Sequence, residues 1–175
     1  LVQNLVKSKI ISAYHDKSDG GLFTTLSEMA FSGNISLDIF NSLERYFDIQ
    51  HMIKFFFNEE LGAVIEVPKR NIKDFNTLVQ KNKADKFIVP LGKSIKSSNP
   101  EILIRSYEDI SFTLSVLRKY WSKLAYNIQK IRDNSSTAKD EYYSKITSHQ
   151  DIKPLNSKVT FSANKMRIKK TKLNR

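Results

Sequence analysis

The sequence predicts an α+β fold: a mixed unit of helices and strands over residues 1–105, followed by one long helix over 106–134. Three observations predict it. Apolar stretches of strand length alternate with amphipathic stretches of helical period through the first 105 residues. A single apolar seam then recurs every three or four residues from Ile110 to Ile131. Finally, 40% of the chain is hydrophobic and 27% charged, the balance of a globular protein that buries a core.

Each element has its own reason. Leu1, Val2, Leu5 and Val6 pair at i, i+4, which suits the last turns of a helix over 1–9. Ile10-Ile11-Ser12-Ala13-Tyr14 reads as a strand. Leu22, Phe23, Leu26, Met29 and Ala30 form one stripe of a helix over 22–32, stopped by Gly33-Asn34. Ile35-Ser36-Leu37-Asp38-Ile39 alternates like a half-buried strand. His51 to Phe57 is a short apolar helix, and Asn58-Glu59-Glu60 breaks it before the strand Leu61 to Val67, closed by Pro68. Ile72, Phe75 and Val79 mark another helix, and Phe87-Ile88-Val89 and Ile102-Leu103-Ile104 two more strands.

From Glu108 the character changes. Ile110, Leu114, Leu117, Trp121, Leu124, Ile128 and Ile131 run over about six turns of one helix. Ser106-Tyr107-Glu108-Asp109 resembles a capping box at its start, and Asp133-Asn134 marks its end. The seam is expected to pack against residues 1–105. Residues 135–161 are polar without sustained period and read as a linker; 162–175 read as a disordered basic tail.

Composition bounds the function. No apolar run approaches the ~20 residues of a membrane helix, so no membrane partner is expected. There is no cysteine, which excludes disulfides, thiolate metal sites and a cysteine nucleophile in this chain, and permits the cytoplasmic setting we expect. The start, Leu1-Val2-Gln3-Asn4-Leu5-Val6-Lys7, lacks the core and cleavage site of a signal peptide and lacks methionine, so the chain is expected to be a piece of a longer protein. The net charge is +11, of which +7 falls on Lys158, Lys165, Arg167, Lys169, Lys170, Lys172 and Arg175. Basicity is thus mostly a property of the tail, and nucleic acid is not the expected partner.

Chemistry concentrates in Tyr14-His15-Asp16-Lys17-Ser18-Asp19-Gly20-Gly21-Leu22. Two carboxylates, Asp16 and Asp19, flank the hydroxyl of Ser18 ahead of two glycines, between a strand and a helix start. Glycine permits positive φ and close backbone approach. Free N–H groups at a helix start favour an anion, and carboxylate oxygens suit Mg²⁺ shared with phosphates. The same residues also fit an ordinary turn in which Ser18 or Asp19 caps the helix. His15 and Asp16 point to opposite faces of a strand, so a direct acid–base pair is not expected. Glu59-Glu60 fits a solvated turn or a packing role. His51 and His149 lack metal-ligand spacing, and no phosphate loop, dinucleotide fingerprint or nucleophile elbow is present.

Ala13 to Leu22, followed by Thr25-Leu26-Ser27-Glu28-Met29-Ala30-Phe31, resembles the phosphoribosylformylglycinamidine synthase family, glutamine-dependent ligases of purine synthesis. The turn alone is shared with aminoimidazole ribonucleotide synthetase and selenophosphate synthetase. Three further stretches narrow it: Phe57 to Val64, the long helix through Trp121 ending Gln129 to Asn134, and Asp151 to Asn156 with Thr160-Phe161. Lys17 departs from the usual arginine and Ser135 from the usual proline. The resemblance implies a mixed α/β sandwich like the aminoimidazole ribonucleotide synthetase carboxy-terminal domain. It implies the second such subdomain of the synthetase region, with a link toward a glutaminase that is absent here. It also implies an auxiliary site holding ATP or ADP with Mg²⁺, where Asp16 would ligate the metal and Ser18 contact the nucleotide, and no catalytic residue of its own. Another ATP-binding member of that superfamily, and a basic nucleic-acid-binding module, are the alternatives.

Overall fold

The computed structural model describes residues 1–40, 49–106 and 108–146. Tyr107, the basic tail, His149 and the stretch Asp151–Phe161 lie outside the described residues.

The chain begins with α1 (Val2–Lys7), β1 (Ala13–Asp16), α2 (Gly21–Gly33) and β2 (Ser36–Phe40). Next come α3 (Ile49–Phe57), β3 (Ala63–Glu66), α4 (Ile72–Lys81), β4 (Gly92–Ile95), β5 (Glu101–Arg105) and β6 (Ile110–Thr113). It closes with α5 (Leu114–Arg132) and α6 (Ser135–Ile146). β1 and β3 form an antiparallel pair, with Asp16 opposite Ala63. The other sheet has the order β4-β2-β5-β6, in which β2 and β5 run parallel and the two outer pairs run antiparallel. This is the mixed helix-and-sheet architecture expected.

The main core is where the two sheets and three helices meet. Leu22, Leu26 and Ala30 of α2 bury against Leu37 and Ile39 of β2, Phe56 of α3, Val64 of β3, Ile102 and Ile104 of β5, and Leu114 of α5. Because α2 stands over β2 and β5, its N-terminus is fixed beside the end of β1. A smaller cluster joins Leu5 and Ile10 to Phe75 and Val79 of α4. Hydrophobic burial, worth about 1.5–3 kcal/mol per fully buried aliphatic side chain, holds both together.

Several elements differ from expectation, each for a physical reason. The first strand starts at Ala13 because Ile10 turns into the smaller cluster instead. The apolar run Phe87-Ile88-Val89 is not a strand: Asp85–Phe87 is a 3₁₀ turn, and Phe87 is 74% exposed. The strand is Gly92–Ile95, an edge strand exposed throughout and so without apolar alternation. Its Gly92 is needed for pairing, since a Cβ there would lie 2.1 Å from the Asp38 carbonyl oxygen. Ser106 to Asp109 does not cap a helix. It links β5 to β6: Asp109 accepts from the Ser106 N–H at 3.3 Å and from Arg105 Nη1 at 2.8 Å. Ile110 and Phe112 fall opposite Ile104 and Ile102, so strand period wins over helix period until Leu114.

The seam of α5 packs against residues 1–105 only in its first turns. Leu114 is buried and Leu117 half-buried. Beyond them Trp121 is 57%, Leu124 70%, Ile128 53% and Ile131 89% exposed, which corrects the expected packing. The residues after Asn134 form α6 rather than irregular chain. Asn134 Oδ1 accepts from the Ser136 and Thr137 N–H groups at 3.0 and 3.1 Å, an N-cap arrangement. α6 returns along another face of α5: Tyr126 and Tyr142 stack at 4.4 Å, and Tyr142 OH donates to the Lys119 carbonyl at 3.1 Å. No described helix is long and apolar enough to cross a membrane.

Candidate nucleotide and metal turn

β1 ends at Asp16 and α2 begins at Gly21, so residues 17–20 form a tight turn between sheet and helix. Gly20 has φ +80° and Gly21 φ +67°, the left-handed region that costs an L side chain energy. The end of α3 crosses the turn closely. A Cβ on Gly21 would lie 2.7 Å from the Asn58 carbonyl oxygen and 2.8 Å from that of Phe56. This position therefore excludes every side chain, on steric and on conformational grounds.

Polar contacts tie the turn down on both sides. The Lys17 N–H donates to the Gly62 carbonyl at 2.8 Å, and Lys17 Nζ donates to Asn58 Oδ1. Lys17 is thus half-buried and engaged by Asn58. The Gly20 N–H donates to Glu59 Oε1 at 2.9 Å. Glu59 is accordingly a packing residue, and its contact demonstrates that this amide is within reach of an anionic oxygen. Thr24 Oγ1 and Thr25 Oγ1 donate back to the Gly20 and Gly21 carbonyls, each at 3.1 Å, securing the first turn of α2.

Asp16, Ser18 and Asp19 are all exposed on this turn. His15 has no close contact with the Asp16 carboxylate, whose nearer oxygen lies 4.0 Å from Nδ1. Its Nδ1 lies instead 2.7 Å from the Asp16 main-chain carbonyl oxygen, and its Nε2 lies 3.0 Å from Glu28 Oε2. Among the described residues no group of three or more His, Asp or Glu side chains is placed to hold a metal ion. Asp16 is a hard oxygen donor at the strand end, suited to one position on a Mg²⁺ whose other ligands are phosphate, water or groups outside the described residues. His51 lies on α3, away from the turn in sequence and with no part in these contacts as resolved.

Glu28 and Glu59 carry contacts at the site that their local sequence does not specify. Both act across long stretches of chain, 13 residues to His15 and 39 to Gly20. No local pattern signals them; the polar break Asn58-Glu59-Glu60 before a strand was the one trace of the second.

A second anchor sits at the other end of α2. The buried Arg118 of α5 donates Nη2 to the Phe31 carbonyl and to Asn34 Oδ1, both at 3.0 Å, at the last turn of the helix. Burial pushes its guanidinium pKa down from the ordinary arginine value, yet it stays the cation that complements a helix C-terminus.

Residues 1–104 match the family model described as AIR synthase related protein, C-terminal domain. The phosphoribosylformylglycinamidine synthase of Saccharomyces cerevisiae is 38% identical over 149 residues, covering 83% of this chain and 11% of that protein. The enzyme of the same name from Schizosaccharomyces pombe is 39% identical over 144 residues, covering 81% of this chain and 10% of that protein. A solved structure, T. maritima PurL complexed with FGAR, aligns with a TM-score of 0.47 and 15% identity over 65% of this chain and 19% of its own. The chain thus spans only 10–11% of the length of the curated relatives it matches. The likeness to phosphoribosylformylglycinamidine synthase read from Ala13–Phe31 and Phe57–Val64 is borne out by those relatives. On the match across residues 1–104, the chain belongs to the AIR synthase related protein, C-terminal domain family.

Proposed function

We propose that this chain is part of a phosphoribosylformylglycinamidine synthase, where it holds a magnesium-bound adenine nucleotide at the Asp16–Gly21 turn. The whole enzyme is a cytoplasmic ligase that converts formylglycinamide ribonucleotide to its amidine with ATP and glutamine-derived ammonia. The rest of the synthetase and a glutaminase domain are its partners. The carrying observation is the turn itself: an exposed carboxylate at a strand end, an exposed hydroxyl two residues on, and a helix start that a carboxylate oxygen already reaches. Resemblance to named synthases over most of the chain supports the same reading.

In this reading Asp16 gives an oxygen to Mg²⁺, and Ser18 offers a hydroxyl to the nucleotide. When bound, the metal neutralises phosphate charge. The residues of this chain do the positioning. Gly20 and Gly21 let the backbone come close, and Lys17 and Glu59 lock the turn against the chain after α3. The segment alone is expected to make no product. Calorimetric titration with Mg·ADP tests the proposal. Wild type binds, and Asp16→Asn weakens binding at least tenfold, the scale on which loss of a metal-site partner is felt. Equal binding by both, or none by either, contradicts it.

A further inference from the structure

The ends of three side chains and one carbonyl form a continuous path from the long helix to the turn. Trp121 Nε1–H of α5 donates to Glu28 Oε1 at 2.9 Å. The other oxygen of the same carboxylate lies 3.0 Å from His15 Nε2. His15 Nδ1 in turn lies 2.7 Å from the Asp16 carbonyl oxygen. The His15 and Glu28 side chains are about one-third exposed, 31% and 32%, so neither bond is fully surrendered to water. The Glu28 carboxylate is the centre of this path, since one of its oxygens takes the indole N–H and the other meets the imidazole ring. A glutamine there keeps one acceptor and replaces the other with an N–H₂ donor, so the contact on one side changes.

The path lies where α5 still has a grip on the body. Phe31 packs edge-on against Trp121 at 5.7 Å and under the Arg118 guanidinium at 5.3 Å. Past Trp121 the apolar stripe of α5 is exposed, so Trp121 is the last seam residue joined to α2. This contact links the last packed turn of α5 to the turn between β1 and α2.

We propose that Glu28 is a positioning residue that couples α5 to the Asp16–Ser18 turn, with His15 holding the Asp16 backbone and Trp121 bringing in the helix. Its functional meaning, that α5 reports and biases nucleotide loading, rests on the nucleotide reading of the turn; the coupling itself does not.

Trp121 is the single tryptophan, so its indole N–H gives one unambiguous signal in ¹⁵N-labelled chain. The first measurement needs no ligand. Trp121→Phe keeps an aromatic ring against Phe31 and removes the N–H together with part of the ring area. It is expected to shift the amide signals of Asp16 to Gly21 and to speed exchange of the Lys17 amide about fivefold, the weight of one lost hydrogen bond. Glu28→Gln is expected to move the indole signal and the turn amides together, and Glu28→Asp to restore neither, being too short to span both partners. Leu124→Ala, one turn further along the exposed face, leaves the turn unchanged. Turn amides that respond no more to Trp121→Phe than to Leu124→Ala overturn the coupling, even if Glu28→Gln fails to fold. The second measurement adds Mg·ADP. An indole signal that moves in step with the Asp16 amide in wild type supports the coupling, and binding that leaves the indole still overturns it. If no nucleotide binds while Trp121→Phe still moves the turn, the coupling stands and the nucleotide reading falls.

Discussion

The turn between β1 and α2 and the hairpin of α5 and α6 are both dense in polar contacts, yet the chain fixes them by different means. At the turn the backbone itself is the constraint. Two consecutive residues hold positive φ, and the carbonyls at the end of α3 leave no room for a Cβ on Gly21. In the hairpin the backbone is regular helix, and side chains do the joining: the Tyr126–Tyr142 stack, the Tyr142 hydroxyl on the Lys119 carbonyl, and Ala138 against α5. Backbone constraints tolerate almost no substitution, whereas side-chain contacts of this kind fail one at a time. The comparison therefore predicts a steep gradient of mutational cost along the chain.

Gly21→Ala sharpens the contrast most. A methyl group at φ +67° and 2.7 Å from a main-chain oxygen adds conformational strain to overlap, and we expect a loss of about 3 kcal/mol in urea unfolding. Arg118→Met comes next, because it takes the donor from Asn34 Oδ1 and leaves the Phe31 carbonyl with only the long 3.4 Å bond from the Asn34 N–H. The expected loss is about 2 kcal/mol, read as a lower unfolding midpoint. Tyr142→Leu removes a ring stack and one hydrogen bond from the hairpin, for about 1 kcal/mol. Hydrogen exchange should place that loss in α6, with the turn amides unaffected. Leu124→Ser changes a side chain that is 70% exposed and should alter stability by less than about 0.5 kcal/mol. If Leu124→Ser costs as much as Arg118→Met, the exposed stripe is buried in solution and the contrast between the two regions fails.

The same contrast explains what could be read from the residues alone. Periodicity marks α2, β3 and α4 because each presents one apolar face to a core: Leu22, Leu26 and Ala30, then Val64, then Phe75 and Val79. It fails for β4, whose Gly-Lys-Ser-Ile lies exposed at a sheet edge and is specified by pairing with β2 alone. It fails for β6, because Ile110 and Leu114 satisfy a helical spacing while Ile110 and Phe112 satisfy a strand spacing. Only the partner β5 decides between them. It fails for α6, where just Ala138 and Tyr142 are buried, four residues apart in an otherwise polar stretch. At the candidate site, the strand–turn–helix order and the need for two glycines were legible, since both are local. The roles of Glu28 and Glu59 were not, because each carboxylate finds its partners on distant segments.

The central claim is that Asp16 presents a metal ligand beside a nucleotide. Paramagnetic broadening tests it most directly, with Mn²⁺ and ADP added to ¹⁵N-labelled chain. The account predicts that Mn·ADP broadens the amides of Asp16 to Ser18 first, and that Asp16→Asn abolishes the effect at the same concentration. Broadening centred elsewhere, or unchanged by Asp16→Asn, would contradict it.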